Sequence, residues 1–590
     1  MRLFYSIIII LIYICPVSAD SSKNPFFIKS FKFNQLAASK GDAIGQFNLA
    51  EAFYNGHGIK KNIKQALHYY NLAVAQDNPD AQNSLGYLYQ KGIGVKTNFK
   101  EAIRLYRLSS DQGNKWAQGN LGYLHENAIG IKKNYKEALR LYQLSADQGN
   151  SLAKNRLGFL YQKGNGVKKN LSKAIKLYKS AVDQGYDIAQ GNLGYLYEYG
   201  IGVEIDFKEA ARLYRLSADQ ENDWAKNALG YLYQNGKGVK KDINEAIKLY
   251  KSAVDQGYDR AQGNLGYLYE NGIGVKKNFK EAARLYKLSA DQDNNWAKNR
   301  LGYLYQKGTG VKKDINEAIK LYESAVDKGY DRAQSNLGHL YENGIGVKKN
   351  FEEAVRLYKL SADQGNSKSQ NKLGYLYQKG KGVKKDLNEA IRFYKSASDQ
   401  GYDVAQGNLG YLHQNGIGVK KNFKEAARLY KLSANQGNDW SQGSLGYLYE
   451  NGIGVKKNIK EATRLYKLSA DQGNIWSQNK LGYLFEKKEN IVKEALRSNP
   501  LISSAQQNIE LKINEKVTLK KSTKDIEVFD QVFSDNQQNN NKDLLQVYEQ
   551  KIKILEKKLA DAQRQTEDNT NKTVSNSKKQ KGKFIAILIA

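Results

Sequence analysis

Apolar residues in this chain recur with helical spacing, and the helices themselves recur with a fixed period. In one representative stretch, Ala261, Leu265 and Leu268 fall on one face of a helix. Asn271-Gly272-Ile273-Gly274-Val275 follows, and two glycines at that spacing suit positive φ and a sharp helix stop. A second helix carries Ala282, Leu285, Tyr286 and Ala290 inward and fades at Asp291-Gln292. Both starts have the spacing of a capping box, with Asp259 and Gln262 in the first and Asn278 and Glu281 in the second. Gly266 sits inside the first helix, where glycine costs about 1 kcal/mol relative to alanine. Its recurrence predicts that another helix backbone comes close.

This pattern returns every 36 residues, with Leu-Gly pairs starting at Leu85, Leu121, Leu157 and onward to Leu481, preceded by Leu49-Ala50. A fixed period of this length marks a stacked repeat architecture. The expected fold is all-α: a right-handed superhelical solenoid of about 13 helix-turn-helix repeats over residues 43–491. Second helices of two types alternate from Asn134 to Lys421, giving four tandem copies of a 72-residue double unit. The last unit degenerates, with Lys487-Lys488-Glu489 in place of the glycine loop, as a terminal cap would.

The flanks read differently. Residues 1–19 have a charged Arg2, an apolar run from Leu3 to Ile14, and Val17-Ser18-Ala19, which fits a signal peptide cleaved before Asp20. The run is short for a span, which takes about 20 apolar residues; a retained anchor is the alternative. Residues 20–42 form a lead-in and 492–542 a polar linker. Within 543–565, Leu545, Tyr548, Ile552, Leu555 and Leu559 fit a heptad seam. It is either a coiled coil that pairs two copies or an amphipathic helix. Residues 566–590 are a basic tail ending in seven apolar residues, Phe584 to Ala590, which could touch an anionic membrane surface weakly.

Charge and chemistry narrow the function. The net charge of +32 favours acidic partners without choosing among them. Cys15 is the single cysteine and lies in the leader, which excludes cysteine nucleophiles and cysteine-type zinc sites from a mature chain. The five histidines, His57, His68, His125, His339 and His413, lack metal-site spacing, and three of them take tyrosine positions of the repeat. No catalytic, cofactor or metal constellation emerges.

The unit Ala261, Leu265, Gly266, Tyr269, Gly272, Gly274, Val275, Asn278, Ala282, Tyr286, Ser289, Ala290 resembles the Sel-one-like repeat, a relative of the tetratricopeptide repeat. The resemblance implies a non-enzymatic scaffold for proteins or peptides. It points to a secreted or periplasmic bacterial adaptor, including one that contacts host cells. Two alternatives come with the family. One is a cell-envelope enzyme of the cysteine-rich β-lactam and peptidoglycan-related branch, whose cysteines this chain lacks. The other is an endoplasmic-reticulum quality-control adaptor.

Two surface features are candidates for partner binding. Trp116, Trp224, Trp296, Trp440 and Trp476 share one repeat slot, which elsewhere holds Arg260 or Arg332. Tryptophan and arginine are typical interface anchors; the competing reading is that each tryptophan covers the neighbouring unit's loop. Lysine pairs such as Lys276-Lys277 and Lys348-Lys349 recur after the glycine loop and form a basic stripe, interrupted by Glu204-Ile205. The stripe offers an acidic surface a contact, but it lacks the aromatic interleaving of single-strand binders, and nucleic acid is not an expected partner.

Overall fold

The computed structural model describes residues 21–497 and two isolated helical positions, Lys553 and Lys557. The expected leader, nearly all of the polar linker, the heptad segment and the basic tail therefore fall outside the described residues, those two positions apart. Among the described residues there are 26 α-helices, a 3-10 turn at Ser21–Lys23 and no strand. The chain divides into two compact units, with the boundary between Lys312 and Lys313.

The first unit opens with a helix at Pro25–Ser39, inside the expected lead-in. Seven helix pairs follow, from Ala43–Asn55 with Ile63–Val74 through Asp259–Asn271 with Phe279–Ala290, and the helix Asn295–Lys307 closes it. The second unit opens with Ile315–Asp327, holds four pairs from Asp331–Asn343 onward, and ends in one continuous helix, Ile475–Arg497. That last helix runs through the place where other units break at glycine, as the degenerate unit predicts. The first helix of each pair is called A below and the second B.

The core is made of one tyrosine per layer. Tyr106, Tyr142, Tyr214, Tyr286, Tyr358, Tyr430 and their equivalents are the largest fully buried side chains. From Tyr106 onward the ring packs on the glycine of the A helix's Leu-Gly pair, as Tyr106 does on Gly86 and Tyr430 on Gly410; the first layer has Ala50 in that place. A Cβ on Gly266 would stand 2.9 Å from the Tyr286 ring and 3.4 Å from the Ala282 carbonyl oxygen. The partner that Gly266 admits is thus chiefly a ring, with the helix backbone expected from the sequence just behind it. Each tyrosine hydroxyl donates to an A-helix glutamate or glutamine, for example Tyr286 to Glu270 at 2.7 Å and Tyr250 to Gln234 at 2.9 Å. Burial, reinforced by the carboxylate bond, pushes the Tyr286 hydroxyl far above its ordinary pKa.

Polar ladders tie the pairs together. Gln292 donates to Gln262 at 3.0 Å, and the same bond recurs from Gln148 to Gln118 and from Gln436 to Gln406. Buried serines such as Ser289 donate to the carbonyl of the first A-helix residue, here Asp259 at 2.7 Å. In the alternate units that serine is alanine (Ala253) and the following cap is Tyr258. The alanine layers leave two buried oxygens without a hydrogen bond, Asp223 Oδ1 and Asn295 Oδ1, each on the first residue of its A helix.

Two capping expectations need correction. Tyr258 is the A-helix cap, with no side-chain bond. Asp259 is the first helical residue, and its carboxylate accepts from Asn294 of the next layer at 2.8 Å. Asn278 does cap the B helix, bonding the Glu281 amide at 3.1 Å. Glu281 does not reach back, because Arg284 one turn later holds its carboxylate with two bonds.

The loop glycines have the expected geometry, with φ of 69° at Gly272 and 68° at Gly274. Ala128 takes the first of these places at φ 59° without glycine's freedom. A left-handed non-glycine residue costs roughly 1–2 kcal/mol. Ala128→Gly is therefore expected to raise stability by about 1 kcal/mol, whereas Gly266→Ala lowers it by about 1–3 kcal/mol through overpacking against Tyr286. Urea unfolding followed by circular dichroism measures both shifts, and equal signs would contradict the account.

Candidate functional site

The A helices carry the variable surface. On most of them the residue two after the leucine of Leu-Gly is a partly exposed tyrosine, as at Tyr195, Tyr231, Tyr267 and Tyr411; Phe159 and His339 take the place on two others. The tryptophan slot lies in the first turn of the same helix, at its second residue: Trp224 follows Asp223, and Trp440 follows Asp439.

Four of the five tryptophans rest on a glycine 33 residues earlier, in the preceding A helix: Trp224 on Gly191, Trp296 on Gly263, Trp440 on Gly407 and Trp476 on Gly443. Each indole also meets the buried core tyrosine edge-on, with centroids 5.8 Å apart for Trp224–Tyr214 and 5.5 Å for Trp296–Tyr286. So the tryptophan covers the neighbouring helix and not its loop, which corrects that reading. It still keeps an outer face: Trp440 and Trp476 are 41% and 46% exposed. Trp116 differs. Its place 33 residues back is Asn83, which bonds Asn120 at 3.0 Å. Without a glycine bed, Trp116 stays 52% exposed, with only the Lys115 ammonium over its ring.

Where the earlier position is asparagine, the slot holds no tryptophan in most layers. Asn227 accepts from Asn264 at 2.8 Å, and Arg260 occupies the slot. Arg260 and Arg332 are both exposed, and neither makes a hydrogen bond or ion pair among the described residues.

The first unit gathers three of the candidates. Trp224, Arg260 and Trp296 line one cavity of about 590 Å³ across four successive A helices, with Tyr195, Tyr199, Tyr231 and the acidic Glu198, Asp259 and Asp293. In the second unit, Trp440 and Trp476 share a cavity of about 310 Å³ with Tyr411 and Tyr447. Trp116 and Arg332 line neither.

The lysine pairs are exposed loop residues. The second lysine is held: Lys277 packs its Cβ 3.2 Å from where a Cβ on Gly272 would stand, and its ammonium lies 4.7 Å from the Phe279 ring centre. At the interruption, Ile205 packs on Gly200 in the same way.

Twelve matches to the Sel1 repeat model run in phase along residues 43–474, from 43–78 to 441–474. The chain belongs to the Sel1 repeat family. Among solved structures it is similar to c5321, a protective antigen of uropathogenic Escherichia coli with the same repeat fold. The identity is 29%, the TM-score 0.56, and the match covers 77% of this chain and 97% of that one. It is also similar to a Sel1 repeat protein from Oxalobacter formigenes, at 32% identity and TM-score 0.39, covering 41% of this chain and 96% of that one. No curated protein matches the chain. Sel1 repeats form scaffolds typical of protein–protein interaction.

Sequence reasoning missed a charge coupling across these Sel1 repeats. Glu221 and Asp293 take positive φ in loops where sister repeats have glycine. Each pairs with a lysine five residues on, Glu221 with Lys226 at 2.6 Å and Asp293 with Lys298 at 2.5 Å. Both lysines replace a glutamine of the ladder and are buried. The signal was visible as a joint departure of two positions from the repeat consensus. Among the described residues no group of His, Cys, Asp and Glu has metal-site geometry. His125 and His413 sit in A-helix tyrosine positions, each with a buried Nδ1 that lacks a bond.

The tryptophan beds give a direct test. Gly191→Asn, which imitates the asparagine layers, is expected to lift the Trp224 indole off the helix and shift the tryptophan emission to the red. Gly119→Asn, where the slot holds Leu152, leaves the emission unchanged. Identical spectra for both variants and the parent would contradict the packing.

Proposed function

We propose that this chain is an exported Sel1 repeat adaptor that holds a protein or peptide on its A-helix face and carries out no catalysis of its own. One observation carries the reading: Trp224, Arg260 and Trp296, spread over 73 residues of sequence, line a single cavity. Aromatic and arginine anchors in a concave site are what binding hot spots are made of. Other layers fill the same slot with Ile188, Arg260, Arg332 or Val404, so stacking of the repeats does not by itself require tryptophan there.

Export is supported by the apolar run Leu3 to Ile14 followed by Val17-Ser18-Ala19. Likeness to a protective antigen of uropathogenic Escherichia coli favours a chain that meets a host. In this reading the basic loops add electrostatic attraction and speed association with acidic partners.

Affinity capture with the full chain beside the triple variant Trp224→Ala, Trp296→Ala, Trp440→Ala tests the surface. The expected outcome is a loss of partner by about tenfold or more in the variant, with capture by the parent persisting at 1 M salt, where the screening length is about 3 Å. Equal capture by both proteins would reject the aromatic face. Capture lost at high salt by both would assign binding to the lysine loops instead. Amino-terminal sequencing of the exported protein is expected to begin at Asp20.

A further inference from the structure

The layers of the solenoid supply their own control for one unusual residue. The A-helix residue five past each Leu-Gly leucine accepts the core tyrosine's hydroxyl, and it is either glutamate or glutamine. Where it is glutamate, the next A helix places a cation just before its own Leu-Gly pair. Arg300 bonds Glu270 through Nε at 3.2 Å, Lys372 pairs with Glu342 at 3.0 Å and Lys480 with Glu450 at 3.7 Å. Arg156, one layer after Glu126, lies 5.3 Å over the Tyr123 ring. Where the acceptor is glutamine the next layer carries an uncharged residue instead: asparagine after Gln90, Gln162, Gln234 and Gln378, and Ser444 after Gln414. The rule is physical: a carboxylate taken out of water needs a countercharge, and an amide does not.

Glu198 breaks the rule. It is 8% exposed and accepts from Tyr214 at 2.7 Å, but the residue that should be cationic is Ala228. No ion pair reaches Glu198 among the described residues. The space an arginine would fill is part of the 590 Å³ cavity, which both residues line. Two further departures fall on the same repeat. Tyr199 stands where sister A helices have asparagine or lysine, and its ring is 4.6 Å from that of Tyr195. Glu204-Ile205 replaces the lysine pair. All three changes remove local positive charge or add an aromatic wall, within a chain of net charge +32.

Sister layers also show where the missing cation belongs. Arg156 and Lys480 lie over Tyr123 and Tyr447, the equivalents of Tyr195. Arg260 lines the cavity but does not pair with Glu198, while Asp259 and Asp293 leave the lining net acidic.

We propose that this cavity takes an arginine side chain from a bound protein partner, its guanidinium standing against Glu198 and over Tyr195, where sister layers place an arginine of their own. The proposal rests on the reading of the A-helix face as the binding surface and names the group that face recognises. Arginine suits the site better than lysine, because a planar guanidinium bonds a carboxylate with two donors and stacks on an aromatic ring.

The test uses the full chain and two glycine-flanked peptides that differ only in arginine against citrulline, its uncharged isostere. Binding is read by tryptophan fluorescence and calorimetry. Two variants borrow residues that sister layers already use: Ala228→Arg fills the site from within, and Glu198→Gln imitates Gln162 and Gln234. Both should fold, and Ala228→Arg should raise the thermal midpoint. The arginine peptide is expected to bind saturably, with the citrulline peptide and both variants weaker by about tenfold or more.

Equal binding of the two peptides, undiminished binding to Ala228→Arg, or no binding to the parent at millimolar peptide overturns the proposal. The two levels separate cleanly. A partner lost in the triple tryptophan variant but kept at full strength by Ala228→Arg overturns the arginine assignment and leaves the adaptor reading standing. Arginine-specific peptide binding, with partner capture unchanged by the tryptophan substitutions, supports the pocket and overturns the wider surface.

Discussion

The layers of this solenoid depend on a tyrosine ring packed directly against a glycine. The contact between Tyr286 and Gly266, repeated layer by layer, sets how closely the B helix approaches the A helix. A methyl group at the glycine would collide with the ring, so the cost of glycine inside a helix is offset by the burial of a large aromatic side chain. The ring's hydroxyl is then stranded in the interior and must find an acceptor, which is why the A helices carry a glutamate or glutamine for it, at a fixed place from Gln90 onward and at Glu51 in the first pair. A glutamate there calls for a countercharge, which the next layer supplies to Glu270, Glu342 and Glu450 but not to Glu198. One packing contact thus propagates into a chain of electrostatic requirements that crosses from repeat to repeat.

The fold was legible because its constraints are local and periodic. Leucine spacing, the two loop glycines and the Asn278 cap each state a conformational requirement within a few residues, and all held. The errors were in geometry that spacing cannot resolve. Asp259 and Tyr258 are equally placed to cap, and only the structure shows that Asp259 is occupied by Asn294 of the next layer. Gly266 announced a close contact, but whether a backbone or a ring made it depended on how the B helix was rotated.

The candidate surface was half legible. The tryptophan slot stood out as a column of rare residues, yet its meaning lay 33 residues away, in whether glycine or asparagine preceded it. Glu198, Tyr199 and Ala228 were passed over because each is ordinary by itself. They matter only as departures from what sister repeats do, and the reason those departures belong together, a buried carboxylate beside an empty space, is a fact of packing. In a repeat protein the consensus describes the fold, and its violations mark where the selective pressure differs.

The reach of the polar contacts has a consequence for how such a chain can change. Among the described residues, cross-layer bonds such as Asn120 to Asn83 and Asn264 to Asn227 span 37 residues, little more than one repeat. A double unit of 72 residues can therefore be gained or lost by unequal exchange between its near-identical copies, and each new junction meets a neighbour it already fits. The Glu198–Ala228 junction exists in one copy. Slippage among the repeats would lengthen or shorten the surface around that notch while leaving it single, so copy number and ligand preference are free to drift independently.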